Sequence, residues 1–187
     1  MLFRSQLAES WEMYVEASNA AGLEVPRNRD LTTSMMRVWA GSEFVTRACI
    51  DDPSLVTGFL DEGCLLADYA AGEYPRRLAR FLEGVRDAKT LGRRLREFRG
   101  REMVRIAWRD LAGLATTMET LANLTDLAEI CVDLTLEYLY QEQCQALGTP
   151  IDAEGQPMRM VVLGMGKLGG YELNFSSDID LIFAFPE

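Results

Sequence analysis

Histidine is missing from all 187 residues, and that one absence removes a good deal of chemistry. Imidazole titrates near neutral pH and is the commonest metal ligand, so histidine-based acid–base relays and most zinc sites are excluded. Cysteine is scarce. Cys49, Cys64, Cys131 and Cys144 stand far apart with no Cys-x-x-Cys pair. A disulfide framework and a zinc site are disfavoured, and buried thiols in a cytoplasmic protein are expected. No apolar run reaches the roughly 18 residues of a membrane-spanning helix. The amino terminus, Met-Leu-Phe-Arg-Ser-Gln-Leu-Ala-Glu-Ser-Trp-Glu, carries acids within its apolar stretch and lacks a signal-peptide pattern. Positive charge is in deficit, 19 Lys and Arg against 29 Asp and Glu, net −10. Binding to nucleic acid through the whole surface is therefore disfavoured. What is present is a chain that is 48% apolar, enough for a core and long enough for one domain or one and a half.

Most of the chain reads as helix. Leu7, Trp11, Tyr14, Val15 and Ser18 follow 3–4 spacing, which predicts an amphipathic helix over 3–21 with Gly22 as its cap. A loop runs through Pro26 to Asp30, then a shorter helix over 33–40, broken at Gly41. Ser42 is the expected N-cap of a helix over 43–50, with Glu43 in its first turn. Asp52 before Pro53 ends that helix, and Pro53 opens another to about Leu60. Residues 61–74 are expected to be a short helix and loop.

Charge then segregates. Residues 75–109 hold 12 of the 19 basic residues, interleaved with Leu91, Leu95, Phe98, Val104, Ile106 and Trp108. They read as amphipathic helix, two helices meeting near Gly92 or Gly100. The arginines either form a solvated face paired with acids elsewhere or present guanidinium groups to phosphate or an acidic protein surface. Residues 110–147 carry seven acids and no basic residue. Thr125 is the expected N-cap of a long helix to about Ala146. Its core stripe is Leu127, Ile130, Cys131, Leu134, Tyr138 and Gln141, and Gly148 and Pro150 end it. This acidic helix is expected to pack beside the arginine-rich one. Residues 149–157 are a linker.

The chemistry concentrates at the end. Met160 to Leu163 is short, β-branched and bounded by glycine, so it reads as a buried strand. Gly164, Gly166, Gly169 and Gly170 follow, and glycines let backbone amides approach and cradle an anion. Lys167 adds a point charge suited to phosphate. Asp178 and Asp180 then open a second apolar run, Leu181 to Phe185. On a strand they share one face. Paired carboxylates repel, and Mg2+ relieves this, binding one or two carboxylates together with substrate phosphates. Asp178 and Asp180 are thus candidate metal ligands and catalytic residues. Gly166, Lys167 and Ser177 are candidates for nucleotide phosphate. Ser176 and Ser177 either contact phosphate or hold the turn by hydrogen bonds. Glu172 is either structural or supports the ligands.

The run Gly164-Met-Gly-Lys-Leu-Gly-Gly-Tyr-Glu-Leu-Asn-Phe-Ser-Ser-Asp-Ile-Asp-Leu-Ile-Phe183 resembles the nucleotidyltransferase signature of the glutamine synthetase adenylyltransferase/adenylyl-removing enzyme family. More broadly it is similar to DNA polymerase beta-like nucleotidyltransferases. Lys167 departs from the broad pattern, where a small residue follows the turn glycine, but is normal for the narrower family. A second stretch, Leu95-Arg-Glu-Phe-Arg-Gly-Arg-Glu-Met-Val-Arg-Ile-Ala-Trp-Arg-Asp-Leu111, resembles the helical region that precedes the core in the same family.

The resemblance implies a mainly α chain, a helical N-terminal region over 1–150 followed by the first two strands of a truncated α+β nucleotidyltransferase core over 151–187. It implies Mg2+, ATP or ADP, phosphate, glutamine synthetase and a PII signal protein as cofactor and partners, with no nucleic acid and no membrane. Asn174-Phe-Ser-Ser-Asp-Ile-Asp180 looks more like the first, adenylyl-removing half, and the chain opens with one helical region before the motif. In that half phosphate attacks tyrosyl-AMP on glutamine synthetase and ADP leaves. A core of this kind has further strands and a third carboxylate, so the chain is expected to be a fragment, inactive alone. Two alternatives remain: a helical interaction module with a remnant Asp-x-Asp strand, and another member of the superfamily. The Arg-Ile-Ala-Trp-Arg-Asp run and the Gly-Lys-Leu-Gly-Gly turn disfavour the latter.

Overall fold

The structure, a computed structural model, describes residues 2–185, with side chains from residue 6. Among them the order is α1 (Leu2–Ala20), α2 (Arg29–Gly41), α3 (Glu43–Asp51), α4 (Ser54–Asp61), α5 (Glu73–Phe81), α6 (Ala88–Ala112), α7 (Thr117–Leu147), β1 (Val161–Gly164), α8 (Gly166–Gly169) and β2 (Leu181–Ala184). The mainly α expectation holds, with one antiparallel two-stranded ribbon. No described helix is long and apolar enough to cross a membrane. The chain forms two compact units, Met1–Ala70 with Gly100–Thr120, and Ala71–Arg99 with Leu121–Glu187. Helices α6 and α7 contribute to both.

In the first unit the caps carry much of the local logic. After α1, Gly22 adopts φ +68, and the N–H of Leu23 reaches the carbonyl of Ser18 at 2.9 Å. This is the left-handed C-terminal closure that glycine favours. Helix α2 starts earlier than the sequence predicts. Asn28 Oδ1 accepts from the N–H groups of Asp30 and Leu31 at 2.9 and 3.1 Å, an N-cap overlooked because Asn28 sits among charged residues. Ser42 caps α3 as expected, its Oγ accepting from Val45 N–H at 3.2 Å. Residues 62–72 hold turns and no helix.

Met35, Val38 and Trp39 of α2, Val45 and Cys49 of α3, and Val56 and Phe59 of α4 bury together with Tyr14, Val104 and Trp108. Trp11, Tyr14 and Trp39 form an aromatic cluster with centroids 5.5 to 6.3 Å apart, Tyr14 meeting Trp39 edge-on, a geometry that ring quadrupoles favour. Burial pushes the Cys49 thiol up to about 12. Only the thiolate reacts, so alkylation of native Cys49 near pH 8 should run about 10³-fold slower than in the denatured chain. Mass-spectrometric labelling checks this, and equal rates in the two states would refute the burial.

The arginine-rich stretch resolves into parts. Arg101, Arg105 and Arg109 lie four apart on one face of α6. Arg105 Nε donates to Cys64 O at 2.9 Å, and Arg109 donates to Leu65 O at 2.7 Å. Arg101 pairs with Glu62 and Glu102 at 2.6 and 2.7 Å. Arg105 and Arg109 thus hold the backbone of the 62–69 loop, and Arg101 holds the Glu62 side chain at its start. Arg93 and Arg94 pair within the helix with Glu97.

Helix α6 runs unbroken through Gly92 and Gly100, against the expected junction there. The break falls earlier, at Gly84 with φ +77. Pro75, at the start of the stretch read as helix, sits in the first turn of α5, where a missing N–H costs nothing. Thr125 does not open α7. That helix begins at Thr117, and Thr116 Oγ1 accepts from Glu119 N–H at 3.2 Å, half of a Thr-x-x-Glu capping box. Glu119 spends its carboxylate on Arg109 instead, which is the ion pair that joins the acidic helix to α6 in the first unit.

In the second unit Leu78, Leu91, Phe98, Leu124, Leu127, Leu168 and Leu173 are buried. Tyr74 donates to Asn123 Oδ1 at 2.7 Å. The stretch before β1 is an ordered turn, with Asp152 Oδ1 accepting from Glu154 and Gln156 N–H at 3.0 and 2.7 Å. Helix α7 anchors the entry to β1, since Tyr140 donates to Met158 O at 3.0 Å and Arg159 pairs with Glu137 at 2.6 Å.

Candidate functional site

Strands β1 and β2 pair antiparallel, Val161 with Ala184 through Gly164 with Leu181. The apolar composition of β1 predicts burial. Instead Val161, Leu163, Ile182 and Phe183 are exposed, because a lone ribbon has two faces and no second layer covers them among the described residues. Asp178 and Asp180 are exposed and precede β2 rather than lying in it. The ladder nonetheless continues one step beyond the strands. Met165 N–H donates to Asp180 O at 2.9 Å. That bond sets Asp180 beside the entry to the glycine turn, and Gly166 follows Met165 directly.

The turn itself is a single helical turn. Its first amides, from Gly166 onward, have no partner within the helix, as at any helix start. Gly166 has φ +56 and open space where a Cβ would stand. Gly164 and Gly169 serve a different end. A Cβ on Gly169 would lie 2.3 Å from Gly164 O, and one on Gly164 would lie 2.9 Å from Leu168 Cγ. The end of β1 thus packs directly on the turn, over the buried Leu168. Gly169→Ala should destabilise the chain by about 1–3 kcal/mol, since backbone must move. Gly166→Ala should cost about 1–2 kcal/mol through its left-handed φ. Denaturant unfolding of both compares them, and a neutral Gly169→Ala would contradict this packing.

Lys167 is exposed on α8. Ser177 belongs to a small turn, with Ser177 N–H reaching Asn174 O at 3.1 Å and its hydroxyl donating to Asn174 Oδ1 at 2.7 Å. Ser176 donates to the same Oδ1 at 3.3 Å. Asn174 therefore organises the approach to Asp178. The Asn-x-Ser-Ser spacing was its available signal.

Three further residues escaped the sequence. Tyr171 is the non-glycine residue with positive φ, +60, among those described, a conformation costing about 1–2 kcal/mol. Gly169 and Gly170 precede it, yet the positive φ falls on the tyrosine. Its hydroxyl donates to Asp126 Oδ1 on α7, and that carboxylate holds the phenol up to about 12. Next to Asp126, Thr125 Oγ1 accepts from Leu173 N–H at 3.3 Å.

The donor set suits a hard cation in part. Asp178 and Asp180 offer carboxylate oxygen two residues apart and accessible. No group of three or more Cys, Asp or Glu among the described residues is gathered to hold a metal ion. Mg2+ keeps several waters and is bound by one or two carboxylates plus substrate phosphates, so two exposed carboxylates beside an open glycine turn fit it.

A family model described as glutamate-ammonia ligase adenylyltransferase matches residues 32–187. The chain is 50% identical over 152 residues to the bifunctional glutamine synthetase adenylyltransferase/adenylyl-removing enzyme of Thioalkalivibrio sulfidiphilus, covering 81% of this chain and 16% of that protein. It is 49% identical over 152 residues to the protein of the same name from Pseudomonas aeruginosa, again 81% and 16%. Against the Nitrosococcus oceani protein of that name it is 44% identical over all 187 residues, 19% of the relative. The chain thus spans less than a fifth of the length of these relatives. The match over the helices and the ribbon together shows that the chain belongs to the glutamate-ammonia ligase adenylyltransferase family.

Proposed function

We propose that this chain carries the nucleotide and metal site of the adenylyl-removing half of a bifunctional glutamine synthetase adenylyltransferase/adenylyl-removing enzyme. The carrying observation is the 2.9 Å bond from Met165 N–H to Asp180 O, which joins the entry of the glycine turn to the backbone of the carboxylate pair. The names of the relatives support the bifunctional enzyme, and the choice of half rests on the likeness of Asn174–Asp180 to the first half of the family.

In this reading Asp178 and Asp180 hold Mg2+, which when bound lowers the charge at phosphorus. Gly166 leaves the backbone open to phosphate and Lys167 supplies a point charge. Ser177, oriented by Asn174, keeps oxygen lone pairs for a ligand donor. The remaining work is positioning. A phosphate oxygen forms a bond to the adenylyl phosphorus, the bond from phosphorus to the tyrosine oxygen breaks, and the products are ADP and the free tyrosine of glutamine synthetase. A PII signal protein regulates the balance, and the setting is the cytoplasm.

The test incubates the natural gene product with adenylylated glutamine synthetase, phosphate and Mg2+. ADP release that EDTA stops and excess Mg2+ restores is the expected result. Release that needs no phosphate, or that survives EDTA, overturns the reading.

A further inference from the structure

We propose that Tyr171 is a positioning residue, clamped through its hydroxyl to Asp126 of α7, which sets where the glycine turn delivers the Asp178–Asp180 segment. This rests on the reading of that segment as the metal and nucleotide site.

Three observations converge on Tyr171. The first is conformational. The turn closes with Tyr171 N–H on Leu168 O at 3.1 Å and Glu172 N–H on Lys167 O at 2.8 Å. This is a helix-ending pattern whose left-handed residue is ordinarily glycine. Gly170, immediately before, has φ −83, while Tyr171 takes φ +60. A strained conformation given to tyrosine with a glycine adjacent calls for a use of the side chain.

The second is the contact. The Tyr171 hydroxyl donates to Asp126 Oδ1, yet the residue is 46% exposed, so burial does not hold it there. One residue beyond Glu172, Leu173 N–H donates to Thr125 Oγ1 at 3.3 Å. Thr125 is fully buried and Leu173 nearly so. Consecutive residues of one rigid helix thus grip both sides of Glu172. The phenol, held up to about 12 beside the carboxylate, stays a donor at neutral pH.

The third is what the clamp controls. Downstream of Leu173 the chain is next fixed where Asp180 O accepts from Met165 N–H. Asn174, Ser177 and Asp178 lie between these two anchors. Moving the upstream anchor moves Asp178 relative to the glycine turn, and misplacement by about 1 Å can cost roughly 100-fold in rate.

The experiment compares Tyr171→Phe, Tyr171→Gly, Asp126→Ala and the double variant Tyr171→Phe with Asp126→Ala. Tyr171→Phe keeps ring and strain but loses the bond. Tyr171→Gly relieves the strain and also loses the bond. Amide hydrogen exchange is read on the 187-residue chain, and Mg2+-dependent phosphorolysis on the natural gene product. Exchange over 172–180 should rise about 10-fold in each single variant and no further in the double, with α1–α4 unchanged, as expected for one shared interaction. The kcat should fall about 10-fold with KM for phosphate little changed, in Tyr171→Gly as in Tyr171→Phe. Unchanged exchange and kcat in Tyr171→Phe, alongside an Asp178→Asn variant that is inactive, overturn the clamp and leave the site reading standing. Faster exchange in a protein whose wild type shows no phosphorolysis overturns the site reading and leaves the clamp.

Discussion

Asp178→Asn and Asp180→Asn are each expected to lower Mg2+-dependent ADP release by about 10³-fold, at least the effect of removing one preorganised transition-state donor. The substitution keeps shape and removes charge. A hard cation binds anionic oxygen far better than a neutral amide, so the loss falls on metal binding. Both side chains are exposed and lie outside the ribbon's paired residues. Substitution there should leave stability within roughly 0.5 kcal/mol, so inactivity cannot be blamed on unfolding. Raising Mg2+ should recover part of the rate in the variant whose ligand is weaker. The measurement is phosphorolysis of adenylylated glutamine synthetase against Mg2+ concentration, with thermal unfolding as control. Two variants that both keep more than a small fraction of wild-type rate would remove the metal-ligand assignment.

Arg105→Ala is expected to produce the largest loss of stability. Arg105 is fully buried, and its guanidinium stacks over Tyr69 at 3.4 Å from the ring centre. It donates to Cys64 O and Ala67 O at 2.9 and 3.4 Å and lies 3.5 Å from the half-exposed Asp68. Truncation opens a cavity and strips a partner from the buried Cys64 carbonyl. Removing one member of a buried ionic cluster costs about 3–5 kcal/mol, and Asp68, still reached by solvent, draws this toward the lower end. A domain this size loses roughly 2–4 °C of Tm per kcal/mol, so the midpoint should drop by about 10 °C. Arg105→Lys should recover little, because a single ammonium cannot span two carbonyls and stack on a ring. A Tm within about 2 °C of wild type in Arg105→Ala, less than 1 kcal/mol of loss would give, would show that the loop 62–69 does not depend on this side chain.

The same residue marks where reading along the chain stops. A stretch dense in arginine and interleaved with Leu91, Phe98 and Trp108 declares an amphipathic helix by its period alone. Whether its cations meet phosphate, protein acids or backbone carbonyls depends on a loop some 40 residues upstream. Arg101, Arg105 and Arg109 turned inward to that loop, while Arg93 and Arg94 pair with Glu97 on their own helix and Arg94 also lies over the Phe81 ring of α5. Gly84 shows a related limit: the break falls there, with φ +77, and not at Gly92 or Gly100, which lie inside α6.

Sequence by itself determined the helix periods, the caps at Gly22 and Ser42, and the glycine turn with its Asp-x-Asp pair. These are local, governed by φ preferences, hydrogen bonds three to five residues apart and one-face burial. The family was legible for the same reason, since its signature is one continuous run. Tertiary structure alone decided that Gly164 and Gly169 serve a backbone crossing at the end of β1. It also decided that Asp180 joins the turn through its carbonyl, and that Tyr171 takes the left-handed position. The last two depend on an atom distant in sequence, the Met165 amide and the Asp126 carboxylate, while the first depends on how the turn folds back on the strand end. No periodicity encodes such a partner, because its position is the sum of every turn between.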